Sequence, residues 1–349
     1  MFANTILTYP ILLLLSSGKK SFQNMGSLIG KSGDTIVRML CPADVNIEKM
    51  QRISQKIFQH RKRLYCIMDD TLIKKYHSRF MQGSGMFFDT KIGRRIMAFR
   101  LVIGLISDGK MAIPITCAYL FSKELLAQIP ERFPSKDDLA KMIVKTAKKL
   151  FPNIEIIVVT DGLYATREFI AWCKNNKIKL EVRMHSNRKI VYQGQEVAVR
   201  DLVDRFSIIP KGLQMARTVT AEWHGIRLEI SVVRRIDKHG KESIIFQAAT
   251  YKARPQTHRK TYTVRWKIEK LNRTTKQSLG LQDCYSRSLS KQHSHVTSVL
   301  LAYALAQVEA KRYKLETPEK AVRRLRSENN TGITHCLTRL NQIFGECIA

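Results

Sequence analysis

Acidic residues are scarce in this chain: 29 Asp and Glu stand against 60 Lys and Arg in 349 residues, a formal charge of +31. That imbalance excludes a self-neutralised surface and leaves a polyanion as the natural counterweight. The basic residues are spread over apolar, structured-looking segments and are not confined to one tail, so a folded protein that binds nucleic acid is expected. Paired cysteines are lacking too. The seven, at Cys41, Cys66, Cys117, Cys173, Cys284, Cys336 and Cys347, form no C-x-x-C, which argues against a disulfide framework or a zinc site and fits a reducing cytoplasm. Long hydrophobic runs are absent. The run from Ile11 to Leu15 is short, has no basic region before it and no cleavage pattern after it, so it reads as a buried helix and not as a signal or membrane span. A phosphate-binding loop is missing as well, because Gly26-Ser-Leu-Ile-Gly30-Lys31-Ser32 has three residues between its glycines where four are needed. What is present is 44% hydrophobic content, enough for a core in one large domain or two modest ones.

The apolar patterning gives an element order. Residues from Phe22 to Leu40 read as two short helices around Gly30, with Ser32 or Asp34 able to cap the second and Ile36, Val37 and Leu40 turned inward; a helix-turn-helix and an ordinary helical hairpin both fit. Leu64 to Met68 is a buried strand that ends in Asp69-Asp70-Thr71. Met97 to Ile106 and Met111 to Phe121 follow, separated by the turn Ser107 to Lys110, so three strands form an antiparallel meander. Ser135 caps an amphipathic helix through Leu150. Ile156 to Val159 is a fourth buried strand ending at Thr160-Asp161-Gly162, and a helix from Ala165 to Asn175 precedes a fifth strand near Ile178 to Val182. The order β-β-β-α-β-α-β is that of an RNase H-like α/β core, a mixed five-stranded sheet with flanking helices. From Lys177 to Lys260 the chain turns β-rich, with alternation at Ile226, Leu228, Ile230 and Val232 and turn signals at His224-Gly225 and His239-Gly240. The rest is helical, including His295 to Lys314 and a final helix capped by Thr317 with Pro318 at its first position.

Asp70 and Asp161 each stand at the carboxyl end of a strand, where neighbouring strands can bring two carboxylates together. Asp69 and Asp70 point to opposite faces, so only one of them can join Asp161. Further on, Tyr262, Arg265, Glu269 and Lys276 have offsets of zero, three, seven and fourteen. On one continuous helix at roughly 100° per residue these lie within about 60° of one another, so an aromatic hydroxyl, two cations and an acid share a face. The basic run Lys252, Arg254, Arg259 and Lys260 precedes that face and suits a phosphate backbone.

The spacing Y-x2-R-x3-E-x6-K resembles the signature of the bacterial DDE transposases of the insertion-sequence "four" family, and the chain resembles that family from about Leu64 to about Leu305. The resemblance implies an RNase H-like fold with a β-rich insertion between the second and third acids. It implies Asp70, Asp161 and Glu269 as catalytic carboxylates that hold two Mg²⁺ ions, with Mn²⁺ able to substitute, for cleavage and strand transfer of DNA. Tyr262, Arg265 and Lys276 would contact transposon-end DNA. A hairpin intermediate with a flipped base is implied, with Trp223 and Trp266 as the candidates to stack on that base. The expected partners are the terminal inverted repeats and target DNA, bound by a homodimer in a bacterial, nucleoid-associated cytoplasmic setting.

The corresponding segments are 1–60, a helical DNA-binding region; 61–176, the first part of the core; 177–260, the insertion; 261–316, the second part of the core; and 317–349, a helical tail. The region before the first acid is short for that family, so weakened end recognition is expected, and a remnant that binds ends without cutting is the alternative. A general RNase H-like nuclease would leave the Tyr-Arg-Glu-Lys spacing and the long insertion without a reason.

Overall fold

The computed structural model describes residues 7–76, 78, 80–127, 133–205, 216–236, 240, 242–328 and 332–348. The chain opens with helices α1 (Thr8–Leu15), α2 (Phe22–Leu28), α3 (Gly33–Arg38) and α4 (Ala43–Phe58). The apolar N-terminal run is a buried helix, as its composition implied: Ile11 to Leu15 are at most 2% exposed, and burying each such side chain contributes roughly 1.5–3 kcal/mol. Two short helices do flank Gly30, which takes φ +64°. Ser32, not Asp34, caps the second by accepting from the Thr35 amide, and Ile36 is the residue of that helix that is fully buried.

Strands β1 (Arg63–Lys74), β2 (Gly85–Asp89), β3 (Arg94–Ser107) and β4 (Ala112–Leu120) come next. The meander therefore holds a strand that the sequence reading missed. β2 is five residues long, and its outward positions Met86 and Phe88 are as apolar as its inward Phe87, so alternation of burial leaves no polar alternation to read. Helices α5 (Lys123–Leu126) and α6 (Lys136–Leu150) follow, the latter closed by a reciprocal Ser135–Asp138 capping box. Then come β5 (Glu155–Thr160), α7 (Arg167–Asn175), β6 (Lys179–Met184), β7 (Lys189–Tyr192), β8 (Gln195–Ala198), α8 (Leu202–Arg205), β9 (Ala216–Trp223), β10 (Ile226–Ile236) and β11 (Glu242–Ala249). His224 and Gly225, both at positive φ, make the two-residue turn between β9 and β10. The turn expected at His239-Gly240 falls partly outside the described residues.

Helices α9 (Pro255–Thr263), α10 (Trp266–Gln277), α11 (Leu289–Arg312), α12 (Pro318–Glu328) and α13 (Ile333–Ile348) complete the chain. Two readings are corrected here. The signature segment is not one continuous helix: the amides of Val264 and Arg265 bond back three residues, to Thr261 and Tyr262, and this tightened turn separates α9 from α10. The helix that begins at Pro318 is also not the last, since α13 follows it.

The chain divides into two compact units. The first comprises Met1–Arg61, Asp70–Pro134 and Lys267–Ala349; the second comprises Lys62–Asp69 and Ser135–Trp266. In the first, β2 and β4 follow one another along the long strand β3, and α11 packs on α1, α4, α12 and β4. The second is built on a sheet in which residues 63–67 of β1 run parallel to β5, β5 runs parallel to β6, and β6 pairs antiparallel with β11. β10, β9, β7 and β8 continue outward from β11. The β-rich stretch thus extends the sheet from the edge of β6 inside one compact unit, and α9 packs against β6, β9, β10 and β11. All six cysteines with described side chains are free, and among the described residues no helix is long and apolar enough to cross a membrane.

Candidate active site

β5 delivers Asp161 at its carboxyl end, as expected, whereas β1 runs on to Lys74, so Asp69 and Asp70 lie in mid-strand and not at the strand end that the apolar run alone suggested. Cys66, Ile67 and Met68 are buried, as are Val158 and Val159, and each strand then meets an acid that is half-buried. The parallel ladder runs from Arg63 opposite Glu155 to Ile67 opposite Val159, and its first pair is joined by an ion pair. Asp161 follows the end of β5 as the N-cap of a short 3-10 turn, at φ −84°, ψ 179°.

Asp69 and Asp70 are both half-buried in the middle of β1 and, as neighbours on a strand, point to its opposite faces. Asp70 lies 3.4 Å from Nε of Arg100, whose guanidinium sits 4.9 Å from the Phe87 ring centroid. Glu269 and Lys276 stand on α10, half-buried, and belong with Asp70 to the first compact unit.

Around Asp161 the backbone closes tightly. Its carboxylate accepts from the Leu163 amide at 2.9 Å, and a Cβ on Gly162 would meet the His185 ring at 3.1 Å and the Arg183 carbonyl at 3.2 Å, so the Asp-Gly pair is needed for this approach. From the end of α9 two signature residues reach the same acids. Arg265 Nη1 lies 3.6 Å from Asp69 Oδ2. Its guanidinium stands 5.8 Å from the Tyr262 ring centroid. Burial raises the Tyr262 phenol above its usual range; Arg265 and Arg183 pull it down, and Asp161 pushes it up. Arg183 of β6 is a member of this group that the sequence reading missed.

The remaining candidates separate. Trp223 is 5% exposed, with the Arg188 guanidinium 4.7 Å from its ring centroid, and it helps to line a cavity of about 710 Å³ with Ala165, Thr166, Arg188 and His224. Trp266 is 52% exposed at the start of α10. Lys252 and Arg254 are exposed just before α9, with Arg254 at its N-cap.

A family model described as Transposase DDE domain matches residues 61–305, more than two thirds of the chain. The chain belongs to the DDE transposase family. Compared with curated proteins, it matches none. Membership assigns a transposase domain, and hence DNA as the material acted on, to the stretch that holds Asp70, Asp161, Tyr262, Arg265 and Glu269. The donor chemistry at Asp70 and Asp161 is carboxylate oxygen only, which suits a hard divalent cation. Among the described residues no group of three or more His, Cys, Asp or Glu side chains is gathered closely enough to hold a metal ion.

Proposed function

We propose that this transposase cuts and rejoins DNA at the ends of an insertion sequence through a site built on Asp70, Asp161 and Glu269. The observation that carries the reading is the transposase domain match over residues 61–305, which spans all three acids and the spacing of Tyr262, Arg265, Glu269 and Lys276. The strand sequence supports an RNase H-like core: without β2, the strands β1, β3, β4, β5 and β6 stand in the expected order, with helices after the third and fourth of them where a covered sheet needs them. The signature spacing supports the insertion-sequence "four" family.

Carboxylates that converge repel one another, and two divalent cations, Mg²⁺ or Mn²⁺, would offset that repulsion when held by Asp70, Asp161 and Glu269. A bound pair supplies Lewis acidity at the attacking and leaving oxygens of a phosphodiester. The protein's own part is to bind and orient. Arg265, already beside Asp69, offers a planar fork to a phosphate; Tyr262 donates one hydrogen bond; Lys276 adds a point charge. Lys252 and Arg254, exposed before α9, follow the backbone of the same DNA. Trp266 is the accessible aromatic for a flipped base, since a face of Trp223 is taken by Arg188. A homodimer on two terminal inverted repeats, joining them to target DNA by a cut-and-paste route through a hairpin, completes the proposal.

The test is cleavage of duplexes that carry the element's terminal repeats, with Mg²⁺ and with EDTA. The proposal expects cutting by the parent with Mg²⁺ alone, and loss of at least about a hundredfold, some 2.7 kcal/mol, in Asp161→Asn and in Glu269→Gln. Full activity in either variant contradicts it. End binding with no cutting at any metal concentration supports the remnant reading instead.

A further inference from the structure

Within the first unit, the turn between β2 and β3 carries a charge and an exposure that the catalytic site does not use. From residue 71 to residue 100 the sequence has seven Lys and Arg and a single acid, Asp89. That acid is 4% exposed and spent inside the fold: it pairs with Lys74, its Oδ1 accepts from the Lys91 amide at 2.9 Å, and its carbonyl accepts from the Gly93 amide at 2.9 Å. Lys74 holds its carboxyl below the usual carboxylate range. Gly93 takes φ +67°, a conformation that favours glycine, with open space where a Cβ would stand. The turn is therefore fixed at its base and free at its tip.

At that tip, residues 90–95 are all exposed. Ile92 is 42% exposed and Phe88, on the outward side of β2, is 53% exposed. Lys91 and Arg94 bracket Ile92, and among the described residues neither forms a salt bridge. Arg95, by contrast, is engaged with Glu124 and donates to the Met86 carbonyl. An apolar side chain held between two available cations on a rigid turn matches what kinks duplex DNA: the cations neutralise phosphates and the aliphatic wedge parts a base step.

We propose that the β2–β3 turn docks on duplex DNA irrespective of sequence, with Ile92 as a wedge in the minor groove and Lys91 and Arg94 on the flanking phosphates. The inference rests on the transposase reading for the presence of DNA but not on the identity of its catalytic acids. Nothing at the tip, a Lys-Ile-Gly-Arg run, offers the paired donor and acceptor that reads a base edge, so the contact is to backbone and shape.

The test uses the full chain in EDTA, so that no strand is cut, with a duplex of about 30 base pairs of arbitrary sequence and dyes at both ends to report bending. Affinity is measured across a salt series. For Lys91→Gln/Arg94→Gln the slope of log affinity against log salt is expected to fall by about 1.8, at 0.9 for each phosphate contact. For Ile92→Ala the slope stays at the parental value and the bending signal is lost. An unchanged slope in the double variant, or an unchanged bend in Ile92→Ala, overturns the proposal while leaving the catalytic reading in place. A parent that binds no duplex at all sinks both. Parental DNA binding by the double variant, together with lost retention on vesicles rich in phosphatidylserine, would assign the tip to a membrane surface and also overturn the proposal.

Discussion

Glu181 and the pair Asp69 and Asp161, all in the second unit, have opposite fates. Glu181 on β6 is in register with Val159, two residues before Asp161. It is 0% exposed, its Oε1 accepts from the Tyr251 hydroxyl at 2.8 Å, and it is paired with Nδ1 of His258 on α9. Burial pushes its carboxyl up, and His258 and then Tyr251 hold it down. Asp69 in β1 and Asp161 after β5 stay half-buried, with Arg265 Nη1 3.6 Å from Asp69. The same residue chemistry serves as internal glue where it is sealed and is left open to a ligand where it is not.

The sealed cluster should give the largest effect on stability. Glu181→Leu leaves His258 buried without its partner, and breaking such a pair costs about 3–5 kcal/mol. Replacing His258 by Leu as well should recover part of that loss, since the replacement pair is apolar. Denaturant unfolding of the two variants decides this, and a double variant no more stable than the single one would erase the contrast between glue and site.

A sealed histidine in the first unit extends the comparison to pH. His295 accepts from the Tyr9 hydroxyl at Nδ1, 2.7 Å away, and its Nε2–H donates to the Gly280 carbonyl at 3.0 Å, an arrangement that needs the neutral ring. Burial lowers its pKa to about 4, against about 6.5 when unfolded. The folded state then binds fewer protons, so this contribution is complete above pH 6.5 and is lost as pH falls toward 4. Unfolding free energy measured from pH 7 to pH 4.5 should fall more steeply in the parent than in His295→Gln.

The open cluster should respond more weakly when its geometry alone is changed. Arg265→Lys keeps the charge and loses the planar fork, and end cleavage should drop by roughly tenfold with unfolding unaltered. A drop in stability comparable to that of Glu181→Leu would mean that Arg265 is a structural residue.

Much of this was legible because single elements announce themselves. β5 is a run of buried aliphatics, α6 opens on its capping box, and Pro318 starts α12. The candidate site was legible as residue types and spacing, which is a one-dimensional property. What escaped depends on neighbours. Which of Asp69 and Asp70 joins Asp161 depends on neighbouring strands, which no property of β1 contains. The break at Val264 and Arg265 replaces i−4 bonds by i−3 bonds without a Gly or Pro to signal it, so the offsets of one continuous helix do not describe the two helices that form. The Glu181–His258 pair joins residues 77 positions apart through the packing of α9.

The central claim is that Asp70, with Asp161 and Glu269, supplies the carboxylates of the site. It is tested most directly by cleavage of terminal-repeat DNA with Mg²⁺ in Asp69→Asn and Asp70→Asn, each also checked by denaturant unfolding. The account predicts at least about a hundredfold loss in Asp70→Asn with stability kept, and far smaller loss in Asp69→Asn. Near-parental cutting by Asp70→Asn alongside inactivity of a stably folded Asp69→Asn would contradict it.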